Sequence, residues 1–239
     1  MDLSGYTTLT RQSGLMSEMQ IIANNIANAS TTGFRQEGVI FSEYVVGTDT
    51  GPSVSMAQGD VRNTFFWQGN LTQTGSQLDF GIEGEGFFLI ETPNGERITR
   101  AGSFTLSQAG DLVTHDGYNV LDAGGAPIFI PPDTTKIDVA GDGTISADGR
   151  LLGQLGLVQP QNPRDIFREG GVMFRPETPL DPVEEAHIVQ GHLESSNVDT
   201  ILQVSRMIEV QRAYELGQSF LDSENQRSRD AIRAFGQER

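Results

Sequence analysis

Between about Val39 and Val158 the chain cannot hold a long helix. Turn signals containing glycine recur there roughly every 8–12 residues, at Ala109-Gly110, Asp116-Gly117, Gly124-Gly125, Asp142-Gly143 and Asp148-Gly149. The runs between them are short and rich in β-branched and aromatic residues, which suit strands. Phe87-Phe88-Leu89-Ile90-Glu91 and Glu96-Arg97-Ile98-Thr99-Arg100 flank Thr92-Pro93-Asn94-Gly95. That pattern predicts a hairpin with Asn94-Gly95 supplying positive φ at the turn. Further strands are expected at 103–106, 112–114, 119–121, 128–130, 136–139, 144–146 and 154–158. This spacing argues an all-β sandwich or barrel rather than alternating β and α units. Residues 159–182 carry Pro160, Pro163, Pro176, Pro179 and Pro182 and read as a loop-like, extended connector.

The two ends follow a helical period. From about Ser4 to Ala29, Leu9, Met16 and Ala23 recur every seven residues, as do Leu15 with Ile22 and Met19 with Ile26. These rows adjoin and form one broad apolar stripe. Ser30-Thr31-Thr32-Gly33 ends the helix, and Gly33 suits the left-handed position beyond it. A second helix is expected from about Asp199 to Ala234, capped by Asp199 or Asn197. At roughly 35 residues it would span about 50 Å, more than a domain of this size needs for its own core. Met207, Val210, Tyr214, Gly217 and Leu221 form its main row, and Ile201, Val204 and Ile208 a second. A long apolar stripe without a partner is marginal in water. The terminal helices therefore either complete one core with the β region or bury their stripes in other subunits.

The formal net charge is −16, and the excess sits in the middle. Residues 38–189 hold 21 acids and 8 bases, while both ends are nearly neutral. Such a chain repels nucleic acid and anionic membrane surfaces. There is no cysteine, so disulfides, thiolate catalysis and Cys-type zinc sites are excluded. No apolar run reaches the ~18–20 residues of a transmembrane helix. Met1-Asp2-Leu3-Ser4-Gly5-Tyr6 shows no cationic start or apolar core of a secretory signal.

Catalytic chemistry finds little support. His187 and His192 are five apart, off the i, i+4 spacing of a helical zinc pair, and His115 stands alone. Asp142 to Asp148 has oxygen side chains at alternate positions, but Ala147 and Gly153 occupy the calcium-loop positions that need Gly and Glu. Gly84-Glu85-Gly86 leads into a strand, the wrong context for a phosphate loop. The acid pairs Glu83 with Glu85 and Glu184 with Glu185 are expected by chance in so acidic a chain. No enzyme activity, metal or cofactor is read from these residues. Phe65, Phe66 and Trp67 form either a sugar-stacking surface or local core. Asn24 and Asn28, one turn apart inside the apolar stripe, either end the helix or fix register between packed helices. Gln211, Arg212 and Tyr214 pose the same question in the last helix.

Several segments resemble the bacterial flagellar axial proteins of rod, hook and hook-associated structures. They are Ala23-Asn24-Asn25-Ile26-Ala27-Asn28 with Thr32-Gly33-Phe34-Arg35, Gln68 to Gly75, Gly84 to Phe88, Thr99 to Phe104, Gln190 to Val198 and Met207 to Glu215. The resemblance runs in order through nearly the whole chain. Length leaves the two β-containing types of the basal-body rod protein family, proximal and distal. The opening Gly5-Tyr6-Thr7-Thr8-Leu9 and the ending Ser223 to Ser228 resemble the proximal type, whereas Gln211 to Glu215 is nearer the distal one.

The resemblance implies a mixed α and β fold. Long N- and C-terminal helices pack in a coiled-coil-like bundle, and a central all-β domain stands outside it. It places an inner-tube helix at 1–35, an extended or β linker at 36–75, a β-rich outer domain at 76–185 and the second inner-tube helix at 186–239. It implies a structural subunit that assembles helically and passes motor torque across the periplasm. Implied partners are copies of itself, other proximal and distal rod proteins and the flagellar type III export apparatus, with no nucleic acid and no membrane insertion. Export would need no cleaved signal. Subunit packing and registry would fall to Ile22, Asn24, Asn25, Ile26, Asn28, Gly33, Phe34, Leu193, Asn197, Val198, Met207, Val210, Gln211, Arg212, Tyr214 and Leu221.

Overall fold

The computed structural model of the chain describes residues 3–48, 51–162, 165–183 and 186–236. It divides into two compact units, one of Met1–Ala27, Gln36–Phe65 and Val198–Arg239, the other of Asn28–Arg35 and Phe66–Asn197. Two terminal helices and a β-rich middle make the fold mixed α and β.

The first unit holds helix α1 (Leu3–Ala27), strands β1 (Glu37–Thr48) and β2 (Gly51–Thr64), and the C-terminal helix Thr200–Gly236. β1 and β2 form a long antiparallel hairpin from Glu37↔Thr64 to Thr48↔Gly51, with a register shift between Ile40 and Phe41. α1 stops two residues before the expected end. Asn28 turns the chain, accepting the Thr31 N–H on its carbonyl at 3.0 Å and the Thr31 hydroxyl on Oδ1 at 3.1 Å. Of the two expected caps for the C-terminal helix, Asp199 acts. Its Oδ1 accepts the N–H groups of Ile201 and Leu202, both at 3.0 Å, as an N-cap does.

Leu15, Ile22 and Val210 are the buried centre of the helix pair, with Met19, Ile26, Met207, Ala213 and Tyr214 packed around them. Gln12 reaches the Tyr214 carbonyl and Asn25 reaches Gln203, so the two helices run antiparallel. The broad stripe expected on α1 is only partly buried. Leu9 and Met16 are 51% and 47% exposed, and Ala23 is exposed too. One helix and one hairpin cover two sides of α1, and this third row has neither. On another face of α1, Ile21 is buried and Asn25 is buried against Glu37. On the C-terminal helix, the main row turns inward while Ile201, Val204 and Ile208 stay exposed.

The second unit is all β. Its strands are β3 (Leu71–Gln73), β4 (Phe80–Glu83), β5 (Phe87–Thr92), β6 (Gly95–Thr99), β7 (Phe104–Leu106), β8 (Leu112–Thr114) and β9 (Asn119–Val120). They continue as β10 (Ile137–Val139), β11 (Thr144–Ala147), β12 (Arg150–Gln154), β13 (Leu157–Pro160) and β14 (Ile166–Arg168). β15 (Met173–Pro176), β16 (Leu180–Pro182), β17 (His187–Gln190) and β18 (His192–Glu194) complete the set before helix α2, Thr200–Gly236. The main sheet runs β14-β15-β6-β5-β9-β8-β7, with β13 joining β5 to β16. β5 is central and buried on both faces. Phe88 and Ile90 enter one core with Phe80, Leu112 and Ile145, and Phe87 and Leu89 enter another with Ile98 and Phe174. Period two puts alternate side chains on opposite faces, so both faces of this strand carry apolar residues.

Two expectations need correction. The β5–β6 turn closes on Thr92↔Gly95, so its centre is Pro93-Asn94. Gly95 alone carries the positive φ, 102°, after a Pro-initiated turn. The connector at 159–182 contains β14, β15 and β16. Pro160, Pro176 and Pro182 are each the last residue of a strand, where the missing N–H costs little. Pro163 and the acid pair Glu184 and Glu185 lie outside the described residues.

Candidate functional site

In the first unit the helices leave large apolar side chains uncovered. On α2, Ile201 is 82% exposed, Leu216 73%, Ile232 69% and Leu202 61%. Together with the Leu9–Met16–Ala23 row these are apolar faces on both helices, far from the isolated apolar residues of an ordinary surface. The seam between the helices is pinned by polar contacts. Arg206 Nε donates to Glu18 Oε1 at 2.8 Å, and that hydrogen bond raises the Arg206 pKa. Gln12 Nε2 donates to the Tyr214 carbonyl at 2.9 Å. No described helix is long and apolar enough to cross a membrane.

The second unit is built around one buried carboxylate. Glu194, fully buried at the end of β18, accepts Arg35 on Oε1 and Arg100 Nε on Oε2 at 2.8 Å. Oε1 also accepts the Gly69 N–H at 2.9 Å. Arg100 donates onward to the carbonyls of Gly86 at 2.6 Å and Gly84 at 2.8 Å. Arg35 donates to the Trp67 carbonyl at 3.0 Å. Burial lowers both arginine pKa values, Arg100 to about 10, against the opposing pull of Glu194. Arg168 lies between the Phe34 and Phe174 rings, 4.3 and 4.7 Å from their centroids, and donates to the Arg35 carbonyl. Gly33 lies against the strand end: at φ 68°, an added Cβ would fall 2.3 Å from the Ala101 nitrogen. Four sequence-distant segments thus meet at a single carboxylate: 33–35, 67–69, 84–100 and 194–197.

Three family models match the chain. Residues 6–35 match flagella basal body rod protein, 81–147 the flagellar hook protein FlgE/F/G D1 domain, and 189–234 the flagellar basal body rod FlgEFG protein C-terminal region. The flagellar basal-body rod protein FlgF of Caulobacter vibrioides is 39% identical over 99% of both chains. The chain belongs to the flagellar basal-body rod protein family. FlgF of Mesorhizobium japonicum is 36% identical over 97% of both chains. FlgG of Bacillus subtilis is 31% identical over 88% of this chain and 90% of its own.

The structure distributes the residues singled out in the sequence over several settings. Ile22, Ile26, Met207, Val210 and Tyr214 lie in the helix seam, with Leu221 half-buried further along α2. Gln211 and Arg212 are exposed on α2, and Asn24 is exposed on α1. Gly33, Phe34 and Asn197 gather at the buried carboxylate, where Asn197 Nδ2 donates to the Trp67 carbonyl at 2.9 Å. Leu193 is half-buried in β18 opposite Thr72, and Val198 is half-buried at the lead-in to α2. Asn25 is the buried asparagine of the group, 1% exposed.

Phe65 lies over Gly38, Phe66 meets Phe87 edge-on at 6.3 Å, and Trp67 is 56% exposed. No local pattern in the sequence joins Arg35, Arg100 and Glu194, although each sits inside a rod-like segment. Their signal was an ionisable residue embedded in a buried run, as in Phe34-Arg35 and Ile98-Thr99-Arg100.

Proposed function

We infer that this chain is a structural, non-catalytic subunit of the proximal flagellar rod, built by helical stacking of many copies. One observation carries the reading: both terminal helices present long apolar faces that their own unit leaves uncovered. In water such faces are unfavourable, and neighbouring helices would cover them in coiled-coil-like contacts. The higher identity to FlgF chains, 36–39%, than to FlgG chains, 30–33%, favours the proximal position.

In this reading residues 1–35 and 186–239 line the inner tube, 36–75 link, and 76–185 form the outer wall. Ile22, Ile26, Met207, Val210, Tyr214 and Leu221 hold the helix pair. Asn24, Asn28, Gln211 and Arg212 set register against neighbours. Asn25, Gly33, Phe34, Leu193, Asn197 and Val198 hold the chain around the tube in place. The partners are copies of the chain and other proximal and distal rod proteins. The type III export apparatus delivers it to the periplasmic rod, and torque passes through repeated helix contacts. No cofactor is needed.

The test is electron microscopy of purified basal bodies carrying a tag on this chain. Label confined to the proximal rod is expected. Label in the distal rod would move the chain to the other rod type, and label spread over the cell wall would overturn the reading. A second test replaces Asn24 and Asn28 together with Leu. Stable, exported protein that assembles poorly is the expected result.

A further inference from the structure

Beside the buried carboxylate the second unit has a cavity of about 290 Å³, walled by Arg35, Arg100, Phe66, Trp67 and Phe87. Its two guanidiniums, each 2% exposed, share one carboxylate, Glu194. Burying a cation without a full countercharge is unfavourable. Arg35 Nε is also buried with no hydrogen-bond partner among the described residues. Burial lowers both arginine pKa values, against the opposing pull of Glu194 on both and of Glu85 on Arg100. Glu85 lines the cavity too, but it is exposed and forms no ion pair with either arginine among the described residues. The walls therefore suit a group with an apolar stem and an anionic tip. The stem would lie against Phe66, Trp67 and Phe87, with the tip at Arg35. Arginine forks match a carboxylate in this way.

We propose that the cavity receives a carboxylate side chain from a neighbouring copy of this chain in the assembled rod. This rests on the rod-subunit reading above. Charge complementarity selects the copy as the source. Residues 38–189 hold 21 acids against 8 bases, so a stacked neighbour presents mostly carboxylates. The cavity offers such a surface a cationic, partly dry receptor. Trp67, 56% exposed, lines the mouth through which that side chain would enter.

Trp67 is also the only tryptophan of the chain, so its fluorescence reports on this cavity. The purified full chain is titrated at constant ionic strength with N-acetyl-glutamate α-amide, whose one carboxylate is the side chain. N-acetyl-glutamine α-amide is the neutral control. A saturable change with the acid and none with the control is expected. Glu85→Gln should tighten the response about two- to five-fold by removing a like charge. Equal responses to acid and control, or no response to either, would overturn the proposal. In isolated basal bodies, a photo-crosslinker replacing Trp67 should capture an acid-bearing peptide of a second copy. A saturable response without that adduct would overturn the neighbour as source and leave a small-anion site. Absence of the chain from basal bodies would instead overturn the rod reading, while the titration still reports on the cavity.

Discussion

Asn25 pairs with the backbone of Glu37 as a second strand would. Its amide nitrogen donates to the Glu37 carbonyl at 2.7 Å, and its amide oxygen accepts the Glu37 N–H at 3.0 Å. The same nitrogen donates to Gln203 Oε1 at 3.2 Å. One side chain thus joins α1, the start of β1 and α2, and its position is fixed by three partners. Replacing Asn25 with Ala would remove its two hydrogen bonds to the Glu37 backbone and the one to Gln203, each worth about 0.5–1.5 kcal/mol. A loss of about 2–4 kcal/mol is expected for the first unit in urea unfolding followed by helical circular dichroism. The exposed neighbour gives the contrast, since Asn24→Ala should stay within about 0.5 kcal/mol. Equal effects at the two positions would show that Asn25 does not organise this junction.

At the other unit's centre, Glu194 compensates two buried guanidiniums. Glu194→Gln keeps the shape and removes the charge. Breaking a buried ion network from one side costs about 3–5 kcal/mol, because the remaining charges stay buried and unpaired. The β transition, followed by near-ultraviolet circular dichroism, should shift by that amount. Replacing Arg35, Arg100 and Glu194 together by apolar residues of similar size should cost less than Glu194→Gln. A triple variant weaker than the single one would argue that the network itself supplies stability.

Two glycines with similar backbone angles separate strain from crowding. Gly33 has φ 68° and Gly75 φ 75°. An added Cβ at Gly75 meets nothing within 4 Å, whereas at Gly33 it meets the Ala101 nitrogen at 2.3 Å and the Arg100 carbonyl carbon at 2.4 Å. Gly75→Ala should cost about 1–2 kcal/mol for the left-handed backbone alone. Gly33→Ala adds a clash with backbone that cannot rotate away and would push Arg35 from Glu194. It should cost at least about twice as much in the same unfolding assay. Matching losses at the two sites would mean that the segment around Gly33 relaxes freely.

These contrasts mark how far the sequence alone could be read. The helices, the β5–β6 hairpin and most strands followed from period and turn residues. Leu15, Ile22 and Val210 came from heptad rows and do lie in the seam. Periodicity could not tell which row would find a partner, so Leu9, Met16 and Ala23 looked equivalent to the rows beside them. Prolines at 160, 176 and 182 disguised strands because each closes a strand rather than interrupting one. Asn24, Asn25 and Asn28 were indistinguishable by residue type. What separates Asn25 is its position opposite Glu37, a contact between elements that follow different repeats. The Arg35–Glu194–Arg100 cluster is non-local, spanning most of the chain, and local pattern carries no information about such meetings.

The exposed faces of α2 give the sharpest test of assembly. Ile201 and Leu216 are 82% and 73% exposed in the free chain, so changing both to Asp removes little that the monomer buries. Its unfolding should shift by less than about 0.5 kcal/mol per site. In a rod, each side chain buried against a neighbour contributes about 1.5–3 kcal/mol. Two per subunit contact would then weaken each contact by about 3–6 kcal/mol, on the order of 10²- to 10⁴-fold. Placing carboxylates in an apolar contact adds desolvation to that loss. The Ile201→Asp, Leu216→Asp double variant should therefore be folded and exported yet fail to build rods, with swimming abolished. Gln218→Asp, also exposed on α2, controls for added charge and should swim more normally. Motility equal to wild type in the double variant would mean that these faces remain in water throughout, and the apolar surface of α2 would then need another explanation.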